Sequence, residues 1–292
     1  MSEPLVSFEF FPPSDEAMAD TLWKSIQRLA PLQPNFVSVT YGADGSTRTR
    51  THECVMRILK ETDLRVAPHL TCVGASQSEV LAIASDYWRQ GIRHLVALRG
   101  DAPPSQMLDG KYQAHADGFA YASDLVGGLR RVGGFDVSVG AYPEGHPETG
   151  SVAAELENLK RKVDAGAHRA ITQFFFDTDV FLRFRDACAA AAIDVSIVPG
   201  ILPITRFPQL LKFAARCGAS VPPWLHRQFD GLDDDPETRR MIAANVAIEQ
   251  VQKLRRHGVN EFHFYTLNRA ELTYAICHAL GLRPQQSEAR VA

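Results

Sequence analysis

Eight short runs rich in Val, Ile and Phe, each followed by a longer stretch of helical periodicity, constrain this chain more than any other feature. They fall at 6–10, 36–40, 65–70, 94–98, 136–141, 169–173, 194–198 and 261–265. Alternation of this kind marks a parallel sheet. Eight such units within 292 residues predict an α/β fold of the closed (β/α)8 (TIM) barrel type, in a single domain spanning 1–292. The rival, an open doubly wound sheet, needs a G-x-G-x-x-G turn after its first strand, and none is present. Gly127, Gly128, Gly133 and Gly134 have the wrong spacing and bracket a helix end.

Between the seventh and eighth runs lies an extra helical segment, about 222–257, which opens with Gly231-Leu-Asp-Asp-Asp-Pro-Glu-Thr238. Three consecutive aspartates could hold a metal. The reading we favour is a helix start, with Asp235 as N-cap, Pro236 in the first position and acidic charge at the positive end of the helix dipole. The stretch 102–118, with Pro103, Pro104, Gly110 and Gly118, is expected to form a mobile excursion at the barrel mouth. The tail 284–292 is expected to be disordered.

Composition narrows the function. With 31 Lys+Arg against 34 Asp+Glu, the chain has no broad basic field, which counts against nucleic acid or an acidic membrane as its partner and leaves room for a local anion site. The five cysteines are scattered, with no C-x-x-C pair, so neither a disulfide framework nor a zinc knuckle is expected. The N-terminus lacks a signal-peptide pattern, and no apolar run is long enough to span a bilayer. A cytoplasmic protein is the expectation.

In such a barrel the residues that close each strand build the active site. Here they are Glu9; Thr40 and Tyr41; His69 and Thr71; Arg99, Gly100 and Asp101; Tyr142, Glu144 and His146; Gln173; and Tyr265, Asn268 and Arg269. Strand alternation sends Phe8 and Phe10 to one face and Glu9 to the other, the barrel interior. A carboxylate there among aromatics suits general acid work, its neutral form favoured; the alternative is a structural glutamate paired with an arginine. Arg99-Gly-Asp101 sets a cation, a permissive backbone and a carboxylate within one turn, apt for a heterocycle or for a plain surface ion pair.

The helix after the fifth strand carries Asn158, Lys160, Arg161 and Lys162, with Asn158 and Lys162 on one face. That face could grip a pyrophosphate or ribose, although on charge alone a solvated surface is the default. His69 and His146 lack a third ligand at metal spacing, so hydrogen-bond donors are the preferred reading and no metal site is expected. Gln173 precedes Phe174-Phe175-Phe176, which by default are core.

The chain resembles the short bacterial form of the methylenetetrahydrofolate reductase family. The resemblance is carried by Val6-Ser-Phe-Glu-Phe-Phe-Pro-Pro13, Val37-Ser-Val-Thr-Tyr-Gly42, Pro68-His-Leu-Thr-Cys72, Leu98-Arg-Gly-Asp101, Ala141-Tyr-Pro-Glu144, Ile171-Thr-Gln-Phe-Phe-Phe-Asp177, Pro199-Gly-Ile-Leu-Pro203 and Phe264-Tyr-Thr-Leu-Asn-Arg269. These motifs cover almost the whole chain in the family's order.

The resemblance implies a flavoprotein with noncovalent FAD. NADH or NADPH would reduce the flavin and leave, and 5,10-methylenetetrahydrofolate would follow and become 5-methyltetrahydrofolate, a step feeding methionine biosynthesis. It implies Glu9 as the general acid and Asp101 as a catalytic carboxylate. The implied FAD contacts are Thr40, His69, Arg99, Gly100, Asp101, Tyr121, Ala122, Tyr142, His146, Asn158, Arg161 and Lys162. The implied folate contacts are Glu9, Asp101 and Gln173, with Phe213 and Leu267 flanking the aminobenzoate and Arg269 near the same mouth. A homo-oligomer is implied as well. The stretch 102–118 is longer than in short family members, and Glu155 stands where a shorter acidic residue is expected, so it is left out of the site. A C-terminal regulatory domain and inhibition by S-adenosylmethionine are not expected.

Two rivals share the barrel. One is a flavin-free lyase or pterin-dependent transferase using Glu9 and Asp101 without redox chemistry, and the other is a binding barrel without turnover.

Overall fold

A computed structural model describes residues 3–41, 48–101, 107–108 and 111–285. Its strands are β1 (Leu5–Phe10), β2 (Phe36–Val39), β3 (Val66–Thr71), β4 (His94–Leu98), β5 (Met107–Leu108), β6 (Lys111–Tyr112), β7 (Asp136–Ala141), β8 (Arg169–Thr172), β9 (Ser196–Val198), β10 (Gly200–Ile201) and β11 (Glu261–Tyr265). Its helices are α1 (Glu16–Leu29), α2 (Arg48–Glu61), α3 (Gln77–Arg89), α4 (Ala122–Leu129), α5 (Val152–Asp164), α6 (Thr178–Ala190), α7 (Phe207–Cys217), α8 (Pro223–Phe229), α9 (Pro236–Arg256) and α10 (Glu271–Ala279). Nine of the strands form one sheet in the order β10-β11-β1-β2-β3-β4-β7-β8-β9, and every pairing within it is parallel.

The predicted seventh strand, 194–198, differs in detail. It is broken at Pro199, which has no N–H to give a ladder, while the N–H of Gly200 turns aside to Thr172 Oγ1 at 3.0 Å. β9 therefore pairs with β8 and β10 with β11, so the two halves of one broken strand join the two edges of the sheet and close the barrel in eight strand positions. Gly200 is obligatory here, because a Cβ would lie 2.2 Å from the Thr172 carbonyl oxygen and 2.6 Å from the Tyr265 ring.

Residues paired across a parallel ladder face the same side. The register Ser7↔His263, Glu9↔Tyr265, Glu9↔Ser38, His69↔Val96 and Gly140↔Ile171 thus lines the barrel interior with polar groups. The alternate residues, among them Phe8, Phe10, Phe262 and Phe264, are fully buried against the helices. Each such phenylalanine contributes roughly 1.5–3 kcal/mol, so the core that holds the barrel together lies mainly outside the sheet and leaves the interior free for chemistry.

Helix starts follow their caps. Ser76 and Glu79 form a capping box on α3, and Ser151 caps α5. Asp235 caps α9, its carboxylate accepting from the Thr238 N–H at 3.0 Å with Pro236 in the first helical turn, as the helix-start reading required. The extra segment is α8 and α9. Part of 102–118 lies outside the described residues (102–106 and 109–110); within the rest, β5 and β6 pair as an antiparallel hairpin. Of the tail, 286–292 lie outside the described residues, and the Gln285 N–H donates to the Pro31 carbonyl at 2.8 Å. No helix among the described residues is long and apolar enough to cross a membrane.

Candidate active site

The C-terminal ends of the strands surround a cavity of about 370 Å³. Its floor is apolar, formed by Val96, Leu98, Ala141 and Ile171 with the bare backbone of Gly140, and its walls carry Glu9, Thr40, Tyr41, His69, Asp101, Tyr142, Gln173, Phe174, His263 and Tyr265. Phe213 of α7 and Leu267 stand at its rim. Ten of the anticipated strand-end residues and rim residues thus meet in one chamber: Glu9, Thr40, Tyr41, His69, Asp101, Tyr142, Gln173, Tyr265, Phe213 and Leu267.

Glu9 is buried, and its Oε2 lies 3.4 Å from His69 Nε2 and 3.6 Å from His263 Nε2. No arginine pairs with it among the described residues; its neighbours there are the two imidazoles. Its immediate neighbours are imidazoles rather than only hydrocarbon rings. Neither Nε2 has a hydrogen bond of good geometry, nor do the buried Tyr41 hydroxyl and Thr71 Oγ1. Burial holds the His69 imidazole below its ordinary pKa, an effect Glu9 partly opposes. The second face of His263 is fixed by Ser7 Oγ, 2.8 Å from Nδ1. Burial likewise pushes the Tyr265 phenol far up, so it stays a neutral donor, held by the Thr172 carbonyl at 2.7 Å.

The loop after β11 is locked onto the strand bearing Glu9. Thr266 Oγ1 donates to the Glu9 carbonyl at 2.6 Å. The Asn268 side chain accepts from the Phe11 N–H at 2.8 Å and donates to the Phe11 carbonyl at 2.9 Å. Leu267 and Asn268 have φ of 52° and 56°, a left-handed backbone that costs a leucine of order 1 kcal/mol. These bonds keep Leu267 at the rim despite that cost. Arg269, by contrast, is exposed and outside the cavity lining.

Arg99-Gly-Asp101 divides its tasks. Arg99 makes a two-pronged bond to Glu148, Nη1 to Oε2 at 2.7 Å and Nη2 to Oε1 at 2.5 Å, and this bond raises the guanidinium and lowers the carboxyl pKa. Gly100 takes φ 88°. Asp101 lines the cavity without an ion pair among the described residues. Arg99 is thus engaged with Glu148 rather than with Asp101, which has no ion pair among the described residues.

The α5 face is not the solvated surface that charge alone suggests. Lys162 is buried, donates to the Gly140 carbonyl at 2.8 Å and lies 3.8 Å from Glu155 Oε1. Asn158 donates to Glu155 at 3.4 Å. Burial works against both charges, lowering the Lys162 and raising the Glu155 pKa, and each partly offsets the other's penalty. Lys160 and Arg161 are exposed. Glu155, left out of the site by sequence reasoning, is the hub of this cluster; its 155/158/162 spacing was the available signal. His263 was missed as well, being a mid-strand residue.

His146 packs its ring edge against Tyr142 at 4.6 Å, and burial lowers its pKa and raises that of Tyr142. Tyr121, 58% exposed, and Ala122 stand at the N-terminus of α4 and do not line the cavity. Phe174, Phe175 and Phe176 are core, with Phe174 also walling the cavity.

A parallel barrel with a buried acid, two imidazoles and a free carboxylate converging above an apolar floor defines a barrel enzyme whose chemistry sits at the strand C-termini. The sequence places it further: the family model described as methylenetetrahydrofolate reductase matches residues 1–281, and the chain belongs to that family. It is 58% identical to the 5,10-methylenetetrahydrofolate reductase of Escherichia coli (strain K12), over 96% of this chain and 91% of that one. It is 35% identical to methylenetetrahydrofolate reductase (NADH) 1 of Arabidopsis thaliana, over 94% of this chain and 48% of that protein. Among solved structures, an uncharacterized protein from Clostridium thermocellum that binds two copies of 5-methyl-5,6,7,8-tetrahydrofolic acid shares the fold, with a TM-score of 0.64 at 14% identity over 96% of this chain and 95% of that one.

Proposed function

We propose that the chain, as a single catalytic domain, reduces 5,10-methylenetetrahydrofolate to 5-methyltetrahydrofolate. NADH or NADPH would be the reductant, acting through noncovalent FAD in two successive half-reactions at one mouth. The observation that carries this reading is the convergence of Glu9, His69, His263 and Asp101 on one chamber with an apolar floor, within a chain of this family. NADH is the reductant named for the Arabidopsis relative, which favours it here.

The chamber fits a flavin ring. Val96, Leu98, Ala141 and Ile171 offer an apolar bed, Gly140 lets a ring approach the backbone, and His69 Nε2, which has no hydrogen bond of good geometry among the described residues, is available to a ligand atom. Thr40, His69, Arg99, Gly100, Asp101, Tyr142 and His146 would hold the ring and its sugar chain. Asn158, Arg161 and Lys162, with Tyr121 and Ala122, would complete the FAD contacts. When bound, FAD supplies hydride transfer in both directions, from nicotinamide and to folate.

The remaining work falls to side chains. Glu9 would hold a proton on Oε2, where two imidazole nitrogens can share it, and pass it to a bridge nitrogen of the folate as the methylene bridge opens. The iminium so formed is cationic, and the unpaired Asp101 carboxylate favours it electrostatically. Gln173 would orient the pterin, and Phe213 and Leu267 would clasp the aminobenzoate, with Arg269 outside them.

An anaerobic visible spectrum of the purified protein tests the reading. Flavin bands that bleach with NADH and return on adding methylenetetrahydrofolate are expected. A colourless protein that neither takes up FAD nor bleaches would overturn it and leave the lyase or binding-barrel alternatives.

A further inference from the structure

Arg99, just past the end of β4, is gripped by groups from separate segments of the barrel mouth. Its Nη1 and Nη2 make the two-pronged bond to Glu148 at 2.7 and 2.5 Å, and its Nε donates to the Gly100 carbonyl at 3.3 Å. The Tyr112 ring of β6 covers one face of the guanidinium, with Cζ 5.1 Å from the ring centroid. A guanidinium carries five N–H donors in one plane; among the described residues these bonds use three and leave two. The side chain remains 19% exposed, so a ligand can still reach it.

Both halves of the ion pair start from fixed backbone. The Arg99 carbonyl accepts from the Val73 N–H at 2.9 Å, and a Cβ at Gly100 would lie 2.7 Å from the Val73 side chain. Beyond β7, Gly145 takes φ 88° and turns the chain sharply. The Thr149 and Gly150 N–H groups there donate to the His146 carbonyl at 2.9 and 2.8 Å, and the Glu148 N–H donates to His146 Nδ1 at 3.2 Å. His146 in turn packs on Tyr142, which lines the chamber. Glu148 is 46% exposed, and a pair this open adds little to stability. What a two-pronged bond on rigid loops supplies is direction, since it holds the planar cation in one orientation.

We infer that Glu148 and Tyr112 form a clamp that fixes the Arg99 guanidinium for the flavin nucleotide. Both are positioning residues, acting on the cofactor through Arg99. The inference rests on the FAD reading above, which counts Arg99 among the cofactor contacts and includes neither of these two. Tyr112 belongs to the stretch 102–118, which falls between the family motifs at 98–101 and 141–144, so family resemblance alone does not point to it. The opposite role for Glu148, a carboxylate that competes with the ligand for Arg99, predicts the opposite sign in the same measurement.

The experiment follows release of FAD from the purified holoprotein by stopped-flow flavin fluorescence after dilution. Wild type is compared with Glu148→Gln, Tyr112→Leu and Tyr112→Phe, and the first two substitutions are repeated in an Arg99→Met background. Release should be about tenfold faster in Glu148→Gln, which loses a charge-assisted two-pronged bond. It should be about threefold faster in Tyr112→Leu, which removes a cation–π contact, and unchanged in Tyr112→Phe, which keeps the ring. In the Arg99→Met background neither substitution should alter release by more than about 1.5-fold, because both act through the arginine. Unaltered release in both single variants, or the same acceleration with and without Arg99, would overturn the clamp. Slower release from Glu148→Gln would overturn it too and make Glu148 a competitor of the cofactor. A wild type that takes up no FAD is a different failure, removing the flavin reading and the clamp with it.

Discussion

The two ends of this barrel are lined by the same kinds of residue and treat them oppositely. At the strand starts, Arg169 donates to Glu261 at 2.9 Å and lies 3.4 Å from Asp136. His94 Nε2 meets Ser138 Oγ at 2.8 Å, and its ring packs edge-on to Phe36 at 4.4 Å. At the strand ends, Glu9 lies 3.4 and 3.6 Å from two imidazoles, and among the described residues His69 Nε2, His263 Nε2 and Thr71 Oγ1 are buried without a hydrogen-bond partner of good geometry. A buried polar group left unpaired costs about 1–3 kcal/mol. The lower end has been satisfied within the chain, and the mouth awaits satisfaction by something bound. Stability is therefore concentrated at one end and recognition at the other.

The sharpest way to break this contrast is Glu9→Gln. The folate half-reaction should fall by about 10²–10⁴-fold, the usual worth of a general acid, while stopped-flow reduction of the flavin by NADH and the urea midpoint stay near wild type. Equal loss of both half-reactions with FAD retained would refute the acid role. The counterpart below is Arg169→Met, which strands Glu261 and Asp136. Unfolding free energy should drop by roughly 2–4 kcal/mol, allowing for the partial exposure of both partners, with both half-reactions kept in the folded fraction. A larger kinetic than thermodynamic effect would show that the ends are not separable.

The third and smallest effect is on pH. Burial holds the His94 imidazole at about 4, against about 6.5 in an unfolded chain. The folded state then binds fewer protons than the unfolded one in acid, so stability is full above about pH 6.5 and declines as pH falls towards 4. The loss is at most about 3 kcal/mol. His94→Gln should flatten the slope of urea stability against pH across that window. A slope that persists would move the acid sensitivity to His69 at the mouth.

Much of this was legible in the chain. Alternation alone turned Glu9 inward and Phe8 and Phe10 outward, and the Asp235-Pro236 cap announced α9. Seven of the eight strands lie within a residue or so of their expected spans, and the eighth, at 194–198, hid a partner switch because Pro199 can be read as a strand's end or as its hinge. Lys162 looked like solvent-facing charge, and Glu155 looked dispensable. Both are buried, since the face of α5 that meets the barrel is decided by packing rather than by charge count. The pairing of Arg99 with Glu148 spans 49 residues, and nothing local distinguishes Glu148 from other loop acids.

What the sequence by itself determined are the features with a short period: strand alternation, helix faces, caps, and the family motifs at the strand ends. The tertiary structure alone decided which groups meet, placing His69 and His263 on either side of Glu9 and bringing Glu148 and Tyr112 to Arg99. The physical reason is that the periods of 2 and 3.6 residues act within one element and fix a side chain's direction. Distances between side chains far apart in the chain are set only when the barrel closes and its register is chosen.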